Sequence, residues 1–306
     1  MAKEQTKQEL GSGSITGWLI RLAVPAIIAQ LVNLLYNMVD RIYIGHIPQT
    51  GDIALTGLGL CFPVLMIVTA FSNLIGAGGA PRAAIWMGKG DNKSAEQILG
   101  NCVTSLFLCS VALTVLLEIF AEPILWMFGA SEQTLPYALG YMRIYVAGSI
   151  FVMFTLGLNT FITTQGFAQI SMKTVLIGAV TNIILDPIFI FGFHMGVKGA
   201  ALATILSQAI SAIWVLRFLS GKKTVLHIKW GNMRVQGSVM LPVMALGISP
   251  FVMNITESLI NIAFNSSLSK YGGDIAVGAM TILSSIMQFQ FMMVQGLGQG
   301  AQPLLS

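Results

Sequence analysis

A carboxylate set inside a long apolar run is costly, and this chain has few of them. Asp40 lies in LLYNMVDRIYIG, Asp186 in VTNIILDPIFIF and Glu257 in NITESLIN. An ionisable group near mid-bilayer costs about 2.5–3.5 kcal/mol on insertion scales, so each is a candidate for function. Asn182 precedes Asp186 by one helical turn, which puts both on one face. Thr204, in GAALATILSQ, offers a hydroxyl from the following apolar run. Asp40, Asn182, Asp186 and Thr204 can share one polar chamber. Two carboxylates in a low-dielectric pocket do not both ionise cheaply, so a proton is shared or a cation such as Na⁺ is held. The same chamber attracts organic cations. Plainer readings are an Asp40–Arg41 pair near the interface and an Asp186 serving as an interhelical hydrogen bonder. Asn182 and Thr204 also suit helix-to-helix bonding. Pro187, directly after Asp186, predicts a kink that frees the carbonyl of Ile183.

The elements that must position these residues follow from composition. Charged residues make up 9% of the 306 and apolar residues 55%, with a mean hydropathy of +0.79. Soluble proteins carry about 25% charged residues, so soluble and disordered chains are both excluded. Apolar runs of membrane-spanning length, about 20 residues, occur at roughly 18–44, 54–80, 98–120, 135–164, 172–193, 198–219, 241–269 and 275–303. Their length favours helices over the shorter, alternating strands of a barrel. Met1–Gly17 is polar with no small-residue cleavage site, so no signal peptide is expected.

Basic residues set the orientation. Lys3, Lys7, Arg21, Arg82, Lys89, Lys93, Lys173, Arg217, Lys222, Lys223, Lys229 and Arg234 fall on one side. Arg41, Lys198 and Lys270 fall on the other, with Arg143 in or near the fourth span. The positive-inside rule puts the N-terminus in the cytoplasm of a cell-membrane protein. The loop after the third span carries Glu118, Glu122 and Glu132 and no bases, as expected outside.

Other motifs carry less. Cys61, Cys102 and Cys109 read as small reduced core residues. GAGGAP is a packing and bending signal, since no Gly-Lys-Ser/Thr follows it. His46, His194 and His227 lack metal-ligand spacing. The Met292–Met293 pair suits either an adaptable binding wall or a lipid-facing surface. No catalytic nucleophile motif, cofactor motif or nucleic-acid-binding patch is present, so no enzyme is expected.

The chain also repeats itself. GDIA at 51–54 recurs at 273–276, and GAGGAP at 76–81 matches GQGAQP at 298–303, both 222 positions later. Upstream the offset becomes 225, pairing Pro25 with Pro250 and Asp40 with Asn265. Both copies begin at odd-numbered spans and so run the same way through the membrane, the parallel repeat of some transporters. The expected organisation is a six-helix lobe at 1–219, a basic cytoplasmic linker at 220–240 and the first two helices of a second lobe at 241–306. A second lobe of equal size would continue to about residue 440, so the chain reads as a fragment lacking four helices. A natural eight-span protein is the alternative.

YNMVDRIYIG, GDIALTGLGL, GAGGAPRAAIWMGKGD, LNTFITTQG, TNIILDPIFIFGFHMGVKGAALAT and ISPFVMNITESLIN, in this order, resemble the MATE (multidrug and toxic compound extrusion) family. The resemblance covers nearly the whole chain. It implies an all-α integral membrane protein of twelve helices in two lobes, about eight of them present here. It also implies export of cationic amphipathic compounds in exchange for H⁺ or Na⁺, with no other cofactor. Carried over by position, Asp40, Asn182, Asp186 and Thr204 take the coupling ion, with Na⁺ as one option. Tyr36, Asn37 and Asn159 line the first lobe's cavity, and Glu257 serves substrate or cation binding. Pro25 bends the first helix, while Pro187 is the hinge read from the residues themselves. The partners expected are organic cations and the lipid bilayer, and the full-length protein is expected to be a monomer.

Rival readings are weaker on the residues. A flippase for lipid-linked sugars would need cavity bases to hold a pyrophosphate, and the spans hold almost none apart from Arg143. An intramembrane aspartyl protease would need a Gly-x-Gly-Asp type of motif that IILDP lacks. A non-transporting assembly factor would leave the buried carboxylates without a purpose.

Overall fold

A computed structural model describes the backbone of residues 15–305 and the side chains of residues 24, 25, 27–284, 286 and 287. Its helices are α1 (Ile15–Gly45), α2 (Gly51–Gly88), α3 (Asn92–Ile119), α4 (Ala121–Met127), α5 (Leu135–Ala147), α6 (Ser149–Thr164), α7 (Ala168–Pro187), α8 (Val197–Leu219) and α9 (Gly237–Leu305). Among the described residues five helical segments are long and apolar enough to cross a membrane, and the bent pair α5–α6 makes a sixth. Exposed Val111, Val115, Leu116 and Ile119 on α3 suit a lipid-facing surface. Lys3 and Lys7, and the side chains of Arg21, Met292, Met293 and the repeat segment 298–303, lie outside the described residues.

The fourth expected span is broken. α5 and α6 meet at Gly148 with a bend of 56°. A Cβ on Gly148 would fall 2.2 Å from Ile205 Cγ2, so α8 fills the space that the missing side chain leaves. The expected kink at Pro187 takes a particular form: α7 passes into a π-helical turn, Ile188–Gly192. Proline has no N–H to give the preceding turn, and the wider turn re-registers the backbone bonds. The third span ends at Ile119, and a separate short helix, α4, follows.

α9 is helical over 69 residues, which would extend about 100 Å if straight, far beyond a bilayer's hydrocarbon core. Its partners on α2 show how it fits. Before residue 273 they descend: Gly247 meets Leu74 and Gly78, Phe251 meets Phe71, Ser258 bonds Pro63 O, and Asn265 bonds Gly59 O. After it they ascend, with Gly278 against Thr56 and Thr281 against Gly59. The chain therefore reverses at Gly273, whose φ of 65° and ψ of −169° suit glycine almost alone. The two halves are the seventh and eighth expected spans.

The last two contacts bear on the repeat. Thr56 and Gly278 are 222 residues apart, and so are Gly59 and Thr281. Each contact thus joins a residue to its own repeat mate, which happens where a two-fold axis passes between two parallel helices.

The 220–240 segment is packed rather than free. Gln165 Oε1 accepts from Thr224 Oγ1 and from the backbone N–H of Val225 and Leu226, at 2.8–2.9 Å. Buried Glu96 accepts from the His227 N–H at 3.3 Å and from Lys229 Nζ. Asn101 Oδ1 accepts from the Gln236 N–H at 2.7 Å, and Thr104 Oγ1 donates to Met233 O at 2.7 Å. At the same end, Asp91 caps α3 by accepting from both the N–H and the hydroxyl of Ser94, which holds its carboxyl below the usual carboxylate range.

Two outcomes test this packing. Gly247→Leu should lower the melting temperature in detergent by an amount equivalent to about 1–3 kcal/mol, because a Cβ there would lie 1.9 Å from Leu74 O. Gly88→Ala, with nothing within 4 Å, should not. Gln165→Leu should raise the rate of limited trypsin cleavage at Lys222, Lys223 and Lys229 by about tenfold, since three linker donors lose their shared acceptor.

Candidate functional site

The chamber forms where α1 meets α7 and α8. Apolar neighbours on these helices put Asn182, Asp186 and Thr204 inward, and all three are buried. Asn182 Nδ2 donates to Asp186 Oδ1 at 3.1 Å and to Thr204 Oγ1 at 3.5 Å. Asp40 is buried on α1, within electrostatic reach of Asp186. Tyr36, one turn earlier, feels both carboxylates. Asn182, Asp186 and Thr204 are therefore brought together by hydrogen bonds, and Asp40 joins them through charge alone.

Their oxygens are only partly satisfied. Asp40 Oδ1, Asn182 Oδ1 and Asp186 Oδ2 are buried with no hydrogen-bond donor. Buried polar atoms nearly always have a partner, so three orphan acceptors around two carboxylates mark a place that a cation would complete. A proton on either carboxylate turns an acceptor into a donor for a neighbouring oxygen. A Na⁺ would instead take oxygen ligands from two carboxylates, an amide and a hydroxyl, the donor set a hard cation prefers. The residues fit both ions. No group of three or more His, Cys, Asp and Glu suited to a metal occurs among the described residues.

Other expected site residues lie elsewhere. Asn159 donates to Ser171 Oγ at 2.8 Å, and Thr163 joins the same serine. Ser171 is about 16 Å along α7 from Asn182, so Asn159 belongs to a second polar cluster. Asn159 Oδ1 is itself buried without a donor. Glu257 is exposed on α9 and is not part of the chamber. Pro25 is buried within α1.

Asp40 also faces a second space. A narrow cleft runs between α1, α2, α5 and α9. Asn37, Arg41, Phe62, Tyr141, Asn261 and Ser284 line it with Asp40. Asp40 thus stands between the chamber and the cleft. Arg41 donates through Nη1 to Thr281 O at 3.0 Å and sits over the Phe62 ring, 5.8 Å from its centroid. Arg41 therefore lines the cleft, whereas Arg143 is largely exposed, 3.9 Å from Glu118. Asn261, Asn265 and Thr281 were missed as lining residues. The repeat held a signal for one of them, because it pairs Asn265 with Asp40.

Comparison with known proteins then decides the lineage. The MatE family model matches residues 25–188 and 250–306, most of the chain. The chain belongs to the MatE family. It is 28% identical to a multidrug export protein MepA of Staphylococcus haemolyticus (strain JCSC1435), over 96% of this chain and 64% of that protein. A MepA of Staphylococcus aureus (strain MRSA252) is 26% identical, over 94% of this chain and 63% of its own length. Among solved structures, the MATE multidrug transporter DinF-BH, solved as a complex, superposes with a TM-score of 0.90 at 35% identity. That match covers 95% of this chain and 65% of that one. An outward-facing MATE family transporter at 24% identity shares the fold, with a TM-score of 0.84. The chain thus spans somewhat under two thirds of the length of the curated relatives it matches.

Asn182→Leu should destabilise the fold by about 1–3 kcal/mol, because Asp186 Oδ1 and Thr204 Oγ1 lose a buried donor. Asp186→Asn, which keeps shape and removes charge, should cost less. Thermal unfolding in detergent compares the two.

Proposed function

We propose that the protein to which this chain belongs is a multidrug efflux antiporter. In this reading it exports cationic amphipathic compounds in exchange for H⁺ or Na⁺, by alternating access and with no enzymatic step. The observation that carries the reading is the set of orphan oxygens, Asp40 Oδ1, Asn182 Oδ1 and Asp186 Oδ2, within a membrane-type helix bundle. MepA export proteins and a MATE multidrug transporter among its relatives support the substrate class.

Asp40, Asn182, Asp186 and Thr204 hold the coupling ion. Tyr36 and Asn37 are the cavity residues nearest to it, while Asn159 and Glu257 serve parts of the substrate path further away. An ion shifts a conformational equilibrium only by binding one state better than the other. Here the bound cation relieves the repulsion between Asp40 and Asp186 and draws α1 towards α7. Pro25 in α1 and Pro187 at the π turn are the hinges that let the helices respond. Residues 1–219 form one lobe and residues from 241 onward begin the second, joined by the packed segment 220–240. The protein acts as a monomer in the cell membrane with its N-terminus in the cytoplasm, the side to which most of the basic residues fall.

The test is ethidium efflux from vesicles containing the native gene product, under a pH gradient and a Na⁺ gradient in turn. Wild type should export under one of them. Asp40→Asn and Asp186→Asn should each lower gradient-driven efflux by about a hundredfold while inserting normally, the scale of losing a charged partner in a closed site. Export at the wild-type rate by either neutral variant would overturn the ion-site assignment.

A further inference from the structure

Four segments converge at the end of the cleft nearest Ser131 and Asp274, and their polar contacts cross one another. Arg41 Nη1 on α1 donates to Thr281 O at 3.0 Å. Asn265 Nδ2 donates to Gly59 O at 3.4 Å. Thr281 is the repeat mate of Gly59, and Asn265 is the mate of Asp40, Arg41's neighbour. The two bonds are therefore near-equivalents, one from each side of the axis onto the opposite helix. Between them Gly59 and Thr281 are packed so closely that a Cβ on the glycine would lie 2.1 Å from Thr281 Oγ1.

More contacts stack towards the same end. A Cβ on Gly278 would lie 2.9 Å from Thr56 Oγ1. Ser131 Oγ, in the loop between α4 and α5, donates to Asp274 Oδ2 at 2.8 Å, just past the Gly273 turn. A Cβ on Gly129 would meet Asn265, Ser266 and Ser269 at 3.1–3.2 Å. In the other direction the cleft continues on every element. Asn37 lies a turn inward of Arg41, Phe62 of Gly59, Asn261 of Asn265, and Ser284 of Thr281, and all four line it. The crossed bonds thus tie the four segments together at one end of the cleft.

We propose that this crossed pair is the extracellular gate of the cleft, with Arg41 as its positioning residue. Arg41 holds Thr281 while its charge also interacts with adjacent Asp40, so the gate is one residue away from the ion-binding carboxylate. The carbonyl groups of Gly59 and Thr281 accept these bonds, so the gate needs donors at positions 41 and 265 and no side chain at 59. The assignment of this end to the outside rests on the orientation in the proposed function.

The experiment reads access, not transport. Cys61, Cys102, Cys109 and any further cysteine of the native gene product are replaced by Ala, and Ser284→Cys is added as a reporter inside the cleft. A membrane-impermeant maleimide is applied to the outer face of intact cells. Labelling should be slow in this parent, about tenfold or more faster after Arg41→Gln, and slow again with Arg41→Lys, which keeps a donor for the carbonyl. An unchanged rate in correctly inserted Arg41→Gln protein, or acceleration from the inner face alone, would overturn the gate. A second arm adds Ser131→Cys with Asp274→Cys to the Arg41→Gln protein and counts label at position 284 alone: oxidation should stop that labelling and a reductant, removed before the maleimide is added, should restore it. Labelling that persists with the pair fully bridged also overturns the proposal. Because neither arm needs a substrate or a gradient, a failed efflux assay does not affect them, and a failed gate does not affect the efflux assay.

Discussion

The cost of placing two carboxylates inside an apolar bundle governs this structure. Asp40 and Asp186 cannot face lipid, so α1 and α7 must present them inward, and both are buried. Asn182 and Thr204 follow from that, because a buried carboxylate needs donors, and the amide of Asn182 reaches both Asp186 and the hydroxyl. The arrangement stops short of full satisfaction. Asp40 Oδ1, Asn182 Oδ1 and Asp186 Oδ2 are left without donors, which is the feature the proposed coupling site rests on. A fully bonded cluster would be a better scaffold and a poorer ion site.

A second constraint is close approach along α2. In a membrane, helices gain little from hiding apolar surface, so they associate by packing and hydrogen bonds, and small residues let backbones meet. α2 uses Gly59 and Gly78 in this way, and α9 answers with Gly247 and Gly278. The bonds that cross this seam run to backbone carbonyls: Ser258 to Pro63, Asn265 to Gly59 and Arg41 to Thr281. Bonds to carbonyls can be exchanged without leaving an ion pair broken in a low-dielectric interior. That property suits the proposed gate.

Where irregular backbone occurs, it has a local physical cause. Pro187 passes α7 into a π turn that starts two residues after Asp186, and Gly148 admits Ile205 at the bend between α5 and α6. Gly273 reverses the chain with a backbone conformation that other residues rarely adopt. The 220–240 segment is held by the buried side chains of Gln165 and Glu96, so it moves with the helices that carry them.

Much of this was legible from residue types and spacing. Long apolar runs interrupted by charge dictate membrane helices, because unsatisfied backbone groups are too costly in lipid. The rarity of intramembrane carboxylates singled out Asp40 and Asp186, and helical periodicity placed Asn182 beside the latter. The internal offset of 222 already implied that Gly59 and Thr281 are equivalent. What the linear pattern could not hold was distance between segments far apart in sequence. Asn159 was expected, with Tyr36 and Asn37, to line the first lobe's cavity, but only packing between α6 and α7 shows that it bonds Ser171. Arg41 counted as an outer-side charge or a partner for Asp40 until α9 brought the carbonyl of Thr281 within reach. The sequence by itself determined which residues must be buried, since that depends on each residue's own solvation. The tertiary structure alone decided which of them meet, since that depends on helix-to-helix packing that no local spacing encodes.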